Sequence, residues 1–377
     1  MRHIFIYFCT INNYDMAKFF IIALAVMLGM HGYVSWHVWR VLPFSTPVKI
    51  GIMLLLLVAL SCMVLQFKSD SMPMGLATAT YEIGNSWLII MFYLLMLFLV
   101  LDIGRFVHLI PSSWLKENGT TALVITGLMA VTFIAGNINY HNKARREISL
   151  TTDKHLEHPL KIVMLSDLHA GYHNRRAEVG RWVDMINAEH PDLVLIAGDI
   201  LDGRMRPLLE QGTCEEFMRL DAPTVACLGN HEYITGIDQS IGLIEQSGIR
   251  LLRDDTVCVG DVTIIGREDH SNRRRKALSQ LRQGIDSTRY TIVLDHQPHH
   301  LEEAEQNGID LQLSGHTHRG QVWPLNWVTK AMYECDYGLW KRGKTDYYVS
   351  SGMGIWGGKF RIGTRSEYAV ITITPNR

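Results

Sequence analysis

The sequence predicts two regions in different solvents, a bundle of four membrane-crossing helices followed by an α/β domain. The first 140 of the 377 residues contain only 7 of the 36 Lys and Arg residues and 5 of the 37 Asp and Glu residues. This apolar part holds four charge-free windows, each long enough for the roughly 17 to 25 residues that cross a bilayer core. From Leu160 onward, short apolar strands alternate with amphipathic helices, which is typical of an α/β sheet.

The charge-free windows place the predicted helices. They run over residues 19–39, 50–67, 83–101 and 118–142. We therefore predict a membrane region at residues 1–142, with helices at about 18–39, 49–67, 84–108 and 119–140. Tryptophan rings, which favour the lipid headgroup layer, stand at the window edges as Trp36, Trp39, Trp87 and Trp114. The alternative is a buried helical domain of a water-soluble protein. The apolar run within residues 1–15 is too short for a further span, and we expect these residues to be an overlong start or a disordered leader.

The basic residues predict an orientation. With four crossings both chain ends lie on one side, and that side carries six basic residues: Arg2, Lys18, Lys68, Lys143, Arg145 and Arg146. The other side carries four: Arg40, Lys49, Arg105 and Lys116. Because Lys and Arg are in excess on the cytoplasmic side of membrane proteins, we predict a multi-pass protein of the cell membrane with its C-terminal domain in the cytoplasm.

The cysteines agree with that compartment. Six of them are scattered along the chain without CxxC pairs, a pattern that argues against structural zinc and against a disulfide framework. The formal net charge of −1 argues against a long nucleic acid as partner, since such binders carry a basic surface.

The α/β domain is predicted at residues 160–377, after a linker at 143–159. Polar residues follow the end of each of five predicted strands: Asp167 and His169, Asp199, Asn230 and His231, His296, and finally His316 and His318. Each motif alone is more typical of an ordinary turn. Together they predict one site, because ligands of open α/β sheets bind at the carboxyl ends of the strands.

The donor types in this set suit a pair of metal ions. Two divalent ions about 3.5 to 4 Å apart need a bridging carboxylate with further donors on each side, and they clamp the attacking and leaving oxygens of a phosphoryl displacement. Asp and His donors suit manganese, iron or zinc better than magnesium, which prefers oxygen ligands.

The series DLH, GDILD, GNHE, DHQPHH and GHTHRGQ resembles the calcineurin-like metallophosphoesterase family. The resemblance covers about residues 160–373, and the closing stretch 349–373 is similar to the last strands of the membrane-associated branch. It implies a β-sandwich flanked by helices, in an αββα arrangement. It does not reach the N-terminal helices.

The resemblance also implies a role for each site residue. Asp167, His169 and His318 would hold the first ion, Asn230, His296 and His316 the second, and Asp199 would bridge them. His231 would protonate the leaving oxygen or stabilise the transition state, and we infer Asp202 as the residue that orients it. The implied nucleophile is a metal-bridging hydroxide. Arg319 stands where relatives have glycine in GHTHGGQ, and we expect it either to contact a substrate phosphate or to point to solvent.

These inferences predict a membrane-bound, binuclear-metal-dependent hydrolase of a phosphoester or pyrophosphate. Its substrate is then a phosphorylated small molecule or a lipid, such as the UDP-diacylglucosamine that similar enzymes cleave. The aromatic-rich segment 322–340 is expected to be either a packed cap or a contact for an acyl chain or headgroup. Two alternatives stay open: a membrane-anchored nucleotide or cyclic-nucleotide phosphodiesterase, and a noncatalytic membrane scaffold, for which the retained ligands would have no use.

Overall fold

The computed structural model describes residues 13–376, so most of the predicted leader at 1–15 lies outside the described residues. The chain divides into two compact units. The first runs to Ile138 and includes Gly357–Phe360, and the second consists of Asn139–Trp356 together with the chain from Arg361 onward.

The first unit contains four long helices. They are α1 (Asn13–Val41), α2 (Thr46–Leu65), α3 (Met74–Phe106) and α4 (Gly119–His141), with short 3-10 helices at Gln66–Ser71 and Ser112–Leu115. Each long helix holds a stretch that is long and apolar enough to cross a membrane, which confirms the four predicted helices. Helix α3 begins ten residues before its predicted start, because the single charge of Glu82 ended the charge-free window without ending the helix.

Large apolar side chains cover the outside of this unit. Leu55 is 69% exposed and Val131 is 68% exposed, whereas Val34, Met91 and Phe98 are buried between the helices. An outer surface of this kind suits hydrocarbon rather than water. The protein is therefore a membrane protein.

The second unit is built on two six-stranded sheets. The strands of the first sheet are β1 (Ala144–Thr152), β2 (Leu160–Leu165), β3 (Leu193–Ala197), β4 (Thr224–Cys227), β5 (Arg250–Leu251) and β12 (Glu367–Pro375). Those of the second are β6 (Asp255–Val259), β7 (Val262–Gly266), β8 (Tyr290–Leu294), β9 (Leu311–Ser314), β10 (Gly338–Arg342) and β11 (Thr345–Val349). Their orders are β1-β12-β2-β3-β4-β5 and β10-β11-β9-β8-β7-β6.

Helices cover the outer faces of both sheets. They are α5 (Arg176–Asn187), α6 (Met205–Gln211), α7 (Asn230–Thr235), α8 (Ile237–Gln246), α9 (Leu278–Leu281) and α10 (Glu302–Gln306), with 3-10 turns at Thr213–Arg219 and His318–Gly320. A further helix, α11 (Leu325–Met332), packs on the second of these turns. The core follows the same layers. Ile162 of β2 and Ile292 of β8 lie in the cluster between the sheets, while the alternate residue Val163 packs with Trp182 of α5. The predicted αββα arrangement is confirmed.

The expected linker at 143–159 differs from the structure. Ala144–Thr152 forms β1, an edge strand that pairs in parallel with β12, with Ala144 opposite Glu367 and Thr152 opposite Pro375. Every second residue of its later half, such as Ile148 and Leu150, is buried. The alternation was hidden in the sequence because charged residues occupy both faces at the start of the strand.

Candidate metal centre

The structure brings all seven predicted ligands to the carboxyl ends of five strands. Strands β2, β3 and β4 are parallel neighbours in the first sheet, and β8 and β9 are parallel neighbours in the second. The two sheets therefore deliver their polar strand ends to one edge of the sandwich, as the sequence predicts.

One group of donors consists of Asp167, His169 and His318, whose ligand atoms lie within 4.8 Å of one another. The His169 and His318 Nε2 atoms are 3.0 Å apart, and His318 Nε2 is 3.4 Å from Asp167 Oδ1. Asp167 and His169 are fully buried. Two imidazole nitrogens and a carboxylate oxygen thus converge on one point.

A second group consists of Asp199, His296 and His316, again within 4.8 Å. Asn230 joins it, because its Oδ1 atom lies 2.8 Å from His316 Nδ1 and 3.2 Å from His296 Nε2. His296 donates its Nδ1 hydrogen to the Ala197 carbonyl at 2.8 Å. That bond fixes the tautomer and leaves Nε2 directed at the site, the arrangement found around metal-ligating histidines.

Asp199 joins the two groups. Its Oδ2 atom lies 3.1 Å from His296 Nε2 and 3.8 Å from His169 Nε2. Its other oxygen accepts the His231 backbone N–H at 2.8 Å, which holds the carboxylate in place. Asp199 is thus the carboxylate that reaches donors of both groups.

The backbone of the site is strained where the ligands stand. Five of the seven have a left-handed backbone, with φ of 46° to 69°: Asp167, His169, Asp199, His316 and His318. Such conformations cost on the order of 1–3 kcal/mol each and cluster at functional sites. Two glycines admit the carboxylates, since a Cβ atom would lie 2.1 Å from Asp199 Oδ1 at Gly229 and 2.3 Å from Asp167 Oδ2 at Gly315.

The electrostatics fit a pair of divalent cations. Burial raises the pKa of Asp167. Burial lowers the pKa of His296, but the charges of Asp199 and Asp167 raise it well above its ordinary value, so this region attracts positive charge. Burial and the charge of His296 lower the pKa of His316 to about 3, which keeps that imidazole in the neutral form that binds metals. Buried carboxylates need cations as partners, and a neutral imidazole such as His316 can serve as a ligand of such a cation.

His231 and Asp202 form a pair beside these groups. His231 Nδ1 lies 3.0 Å from Asp202 Oδ1. Burial lowers the pKa of His231, but Asp199 and Asp202 raise it to about 9. His231 also forms a third possible metal group with His169 and Asp199, so its role is either proton donor or ligand.

Arg319 does not point freely into solvent. Its guanidinium carbon lies 4.3 Å from the ring centre of Tyr337, and its side chain is partly buried. The cation therefore packs on an aromatic face rather than extending into solvent. A phosphate contact of Arg319 stays a prediction.

Sequence reasoning missed two residues that position the site. Glu232 is fully buried and accepts backbone N–H groups of Gly229 at 2.7 Å, Asp199 at 3.1 Å and Leu201 at 2.9 Å. It therefore ties the loop after β3 to the loop after β4. Its position in GNHE is the signal, because an acid three residues after a glycine can cap the turn.

The second missed residue is Arg361, which is fully buried. It donates to the His318 carbonyl at 2.8 Å, to the Gly354 carbonyl at 2.9 Å and to the Ser351 carbonyl. These bonds hold the loop that carries His318. No local pattern marks Arg361, because it stands 43 residues from the ligand that it supports.

Comparison with known proteins identifies the family of the α/β domain. Residues 160–320 match the family model described as calcineurin-like phosphoesterase. An uncharacterized metallophosphoesterase of Helicobacter pylori is 33% identical over 245 residues, which are 63% of this chain and 66% of that protein. One from Aquifex aeolicus is 30% identical over 57% of this chain and 85% of its own length.

A relative from Danio rerio is named as a transmembrane protein. This transmembrane protein with metallophosphoesterase domain is 27% identical over 86% of this chain and 79% of its own length. Among solved structures, a 5'-nucleotidase precursor from Thermus thermophilus is 17% identical over 57% of this chain, with a TM-score of 0.36. The aligned region spans about half, 55%, of that nucleotidase chain and just under two thirds of the Helicobacter protein.

Proposed function

Because this chain belongs to the calcineurin-like metallophosphoesterase family and is a phosphoester hydrolase, we propose that it uses two divalent metal ions to hydrolyse a phosphoester or pyrophosphate at a membrane. The observation that carries the proposal is the position of Asp199, within 3.1 Å of a nitrogen in one donor group and 3.8 Å of a nitrogen in the other. A carboxylate so placed suits a bridging ligand.

The ligands are proposed in two sets. Asp167, His169 and His318 would hold one ion, and Asn230, His296 and His316 the other, with Asp199 shared. The mixture of nitrogen and oxygen donors favours manganese, iron or zinc. Bound ions of this kind supply a hydroxide nucleophile near neutral pH and stabilise the charge on the phosphoryl oxygens.

His231 is the proposed proton donor. Its Nδ1–H is held by Asp202 Oδ1 at 3.0 Å, so its Nε2 hydrogen is the one free to reach a leaving oxygen. Asp202 also lies 3.7 Å from His169 Nδ1, so its charge faces one ligand as well as the acid. Burial lowers the pKa of His231, but the charges of Asp199 and Asp202 raise it to about 9, which favours the protonated imidazole that an acid requires.

The substrate is proposed to be lipid-linked. The protein is a membrane protein by its four helices, and the segment that follows His318 exposes Trp323 and Trp327, rings that favour the boundary between water and hydrocarbon. One observation favours a nucleotide as second candidate. Tyr333 lies 6.3 Å from the His316 ring and stacks with His299 at 5.0 Å, and such a flat surface also suits a nucleobase.

We further propose that the protein lies in the cell membrane with its α/β domain in the cytoplasm, from the six-to-four excess of basic residues. A reporter enzyme fused after Arg377 should then be active inside the cell. Activity of an exported reporter at that position would contradict the orientation and would move the substrate to the other leaflet.

The activity is tested on the purified full chain in nanodiscs. With manganese, it should release nitrophenol from bis(p-nitrophenyl) phosphate, and a chelator should abolish the reaction. Incubation with a lipid extract or with a mixture of nucleotides then identifies the class consumed. Consumption of nucleotides alone would favour the second candidate, and no reaction with any phosphoester would favour a scaffold.

A further inference from the structure

Helix α11 turns its polar side toward the domain and its apolar side outward. Asn326, Thr329 and Tyr333, three and four residues apart, are partly buried. The side chains that face away are apolar, namely Leu325 at 39% exposure, Trp327 at 63%, Val328 at 51% and Met332 at 44%. A helix on the surface of a water-soluble domain has the opposite arrangement.

The inward side is held by one polar contact and by close packing. Thr329 Oγ1 donates to Asp336 Oδ2 at 2.9 Å, and Asn326 Oδ1 is buried without a hydrogen-bond partner among the described residues. Gly320 fits so closely beneath the start of the helix that a Cβ atom there would lie 2.3 Å from the Asn326 nitrogen. The outward direction of the apolar stripe is therefore fixed by the structure.

The charge and composition around the stripe match a lipid surface. Residues 319–333 contain Arg319 and Lys330, and the first acids come directly afterwards as Glu334 and Asp336. Both acids already have partners in the domain, Glu334 in Arg342 at 3.0 Å and Asp336 in Thr329 at 2.9 Å. Trp323 and Trp327 meet edge to face at 5.5 Å and are both exposed. Basic residues beside exposed tryptophan and aliphatic side chains are typical of helices that lie in the headgroup region of anionic bilayers.

The same helix is tied to the loop of the metal centre. Thr317, between the ligands His316 and His318, donates its hydroxyl to the Asp336 carbonyl at 2.7 Å, and Asp336 is the residue that holds Thr329. Only six residues separate His318 from the first residue of α11. A bilayer that contacts α11 would hold its headgroup phosphates near the site.

We propose that the apolar face of α11, with Trp323, is a docking surface for the interface of an anionic bilayer. The chain already carries four membrane-crossing helices, so a bilayer is present at high effective concentration, unlike a soluble partner. The inference deepens the proposed function, since it makes the substrate a phosphoester presented at that interface.

The docking surface is tested by spin labelling of the full chain in nanodiscs of phosphatidylcholine and phosphatidylglycerol. Cys9 and the exposed Cys258 are first replaced by serine. A label at Val328→Cys should collide more with dissolved oxygen than with a water-soluble nickel complex. The matched control is Leu209→Cys, at a side chain that is 62% exposed, where the nickel complex should dominate.

Two outcomes would overturn the docking proposal. A label at 328 that is as accessible to nickel as the label at 209 would mean that α11 faces water. Dipolar broadening between labels on two chains would mean that the surface binds a second copy. Neither result depends on catalysis, so the docking surface can fail while the proposed hydrolase stands.

A kinetic comparison connects the surface to the reaction. Trp327→Gln should lower the hydrolysis of a long-chain alkyl p-nitrophenyl phosphodiester in vesicles about tenfold, because it weakens interfacial contact. It should leave soluble bis(p-nitrophenyl) phosphate within about twofold, as should Leu209→Gln for both probes. Equal losses on both probes would overturn the interfacial role, and inactivity of the unmodified protein on both would instead overturn the proposed function.

Discussion

The helical unit and the α/β unit place their acidic side chains in opposite surroundings. In the helical unit, Asp102 accepts hydrogen bonds from Tyr33 at 2.7 Å and lies 2.9 Å from His37 Nε2 and 3.4 Å from Arg105. In the α/β unit, Asp199 and Asp167 are buried among imidazoles whose nitrogens face one another. Asp102 thus has three side-chain partners. Asp199 and Asp167 lie instead beside imidazole nitrogens that also face one another.

The difference separates a carboxylate that stabilises the fold from carboxylates that serve the reaction. A charge withdrawn from water needs a partner, and for the partly buried Asp102 the neighbouring helical side chains supply it. At the metal centre the His169 and His318 Nε2 atoms face each other at 3.0 Å, and two facing imidazole nitrogens suit a shared cation. We therefore expect Asp102 to support the fold and Asp199 to support the reaction.

The largest effect that sharpens this contrast is expected from Asp199→Asn. The change removes the charge that both donor groups share, so both ions should be lost and turnover should fall by about 10⁴-fold or more. Metal analysis and nitrophenol release measure the two losses. Asp102→Asn, the matched change in the helical unit, should keep both ions, and equal metal loss from the two variants would break the comparison.

The next largest effect is expected from His231→Ala. Turnover should fall by about 10² to 10⁴-fold, the usual contribution of a positioned acid, while metal content stays near that of the unmodified protein. In this variant turnover must therefore fall while metal content does not. If His231→Ala loses metal as completely as Asp199→Asn, His231 is a ligand of the third donor group.

A smaller effect is expected from Gly229→Ala. The added Cβ atom would lie 2.1 Å from Asp199 Oδ1, so the carboxylate must move, and turnover should fall about 10 to 100-fold, as for other residues that position ligands. Gly242→Ala in α8 is the control, since nothing lies within 4 Å of its Cβ position. Equal activity of both variants would mean that Asp199 is not held as tightly as the structure shows.

The smallest effect is expected in the helices. Asp102→Ala should lower the stability of the full chain in detergent by about 1 kcal/mol, as is usual for polar contacts between membrane helices. Turnover of the folded, metal-loaded protein should be unchanged. A thermal melt and an activity assay on one sample measure both, and a large loss of turnover without a loss of stability would contradict the purely structural role of Asp102.

Much of the site could be predicted because its residues follow strands directly. Asp199 and His296 each stand within two residues of a strand end, and parallel strands of one sheet end at the same edge. Strand β1 was missed because Arg145, Arg146 and Glu147 hide its alternation. Its pairing depends on β12, more than 200 residues later, and no local pattern contains that partner.

The supporting residues were out of reach for a similar reason. Arg361 acts on the loop of His318 from 43 residues away, and a lone arginine in a loop has no periodicity. The outward direction of α11 also needed the structure. The sequence of α11 is equally consistent with a packed cap, and only the partial burial of Asn326 and Thr329 shows which face is outside.

The most direct test of the account is a metal titration of the full chain in nanodiscs after chelation. Manganese is added in steps while bound metal and the hydrolysis of bis(p-nitrophenyl) phosphate are measured together. Two donor groups joined by Asp199 predict that two ions bind per chain and that turnover reaches its maximum only with the second. Full activity with a single bound ion, or activity that persists in the chelator, would contradict the two-metal site.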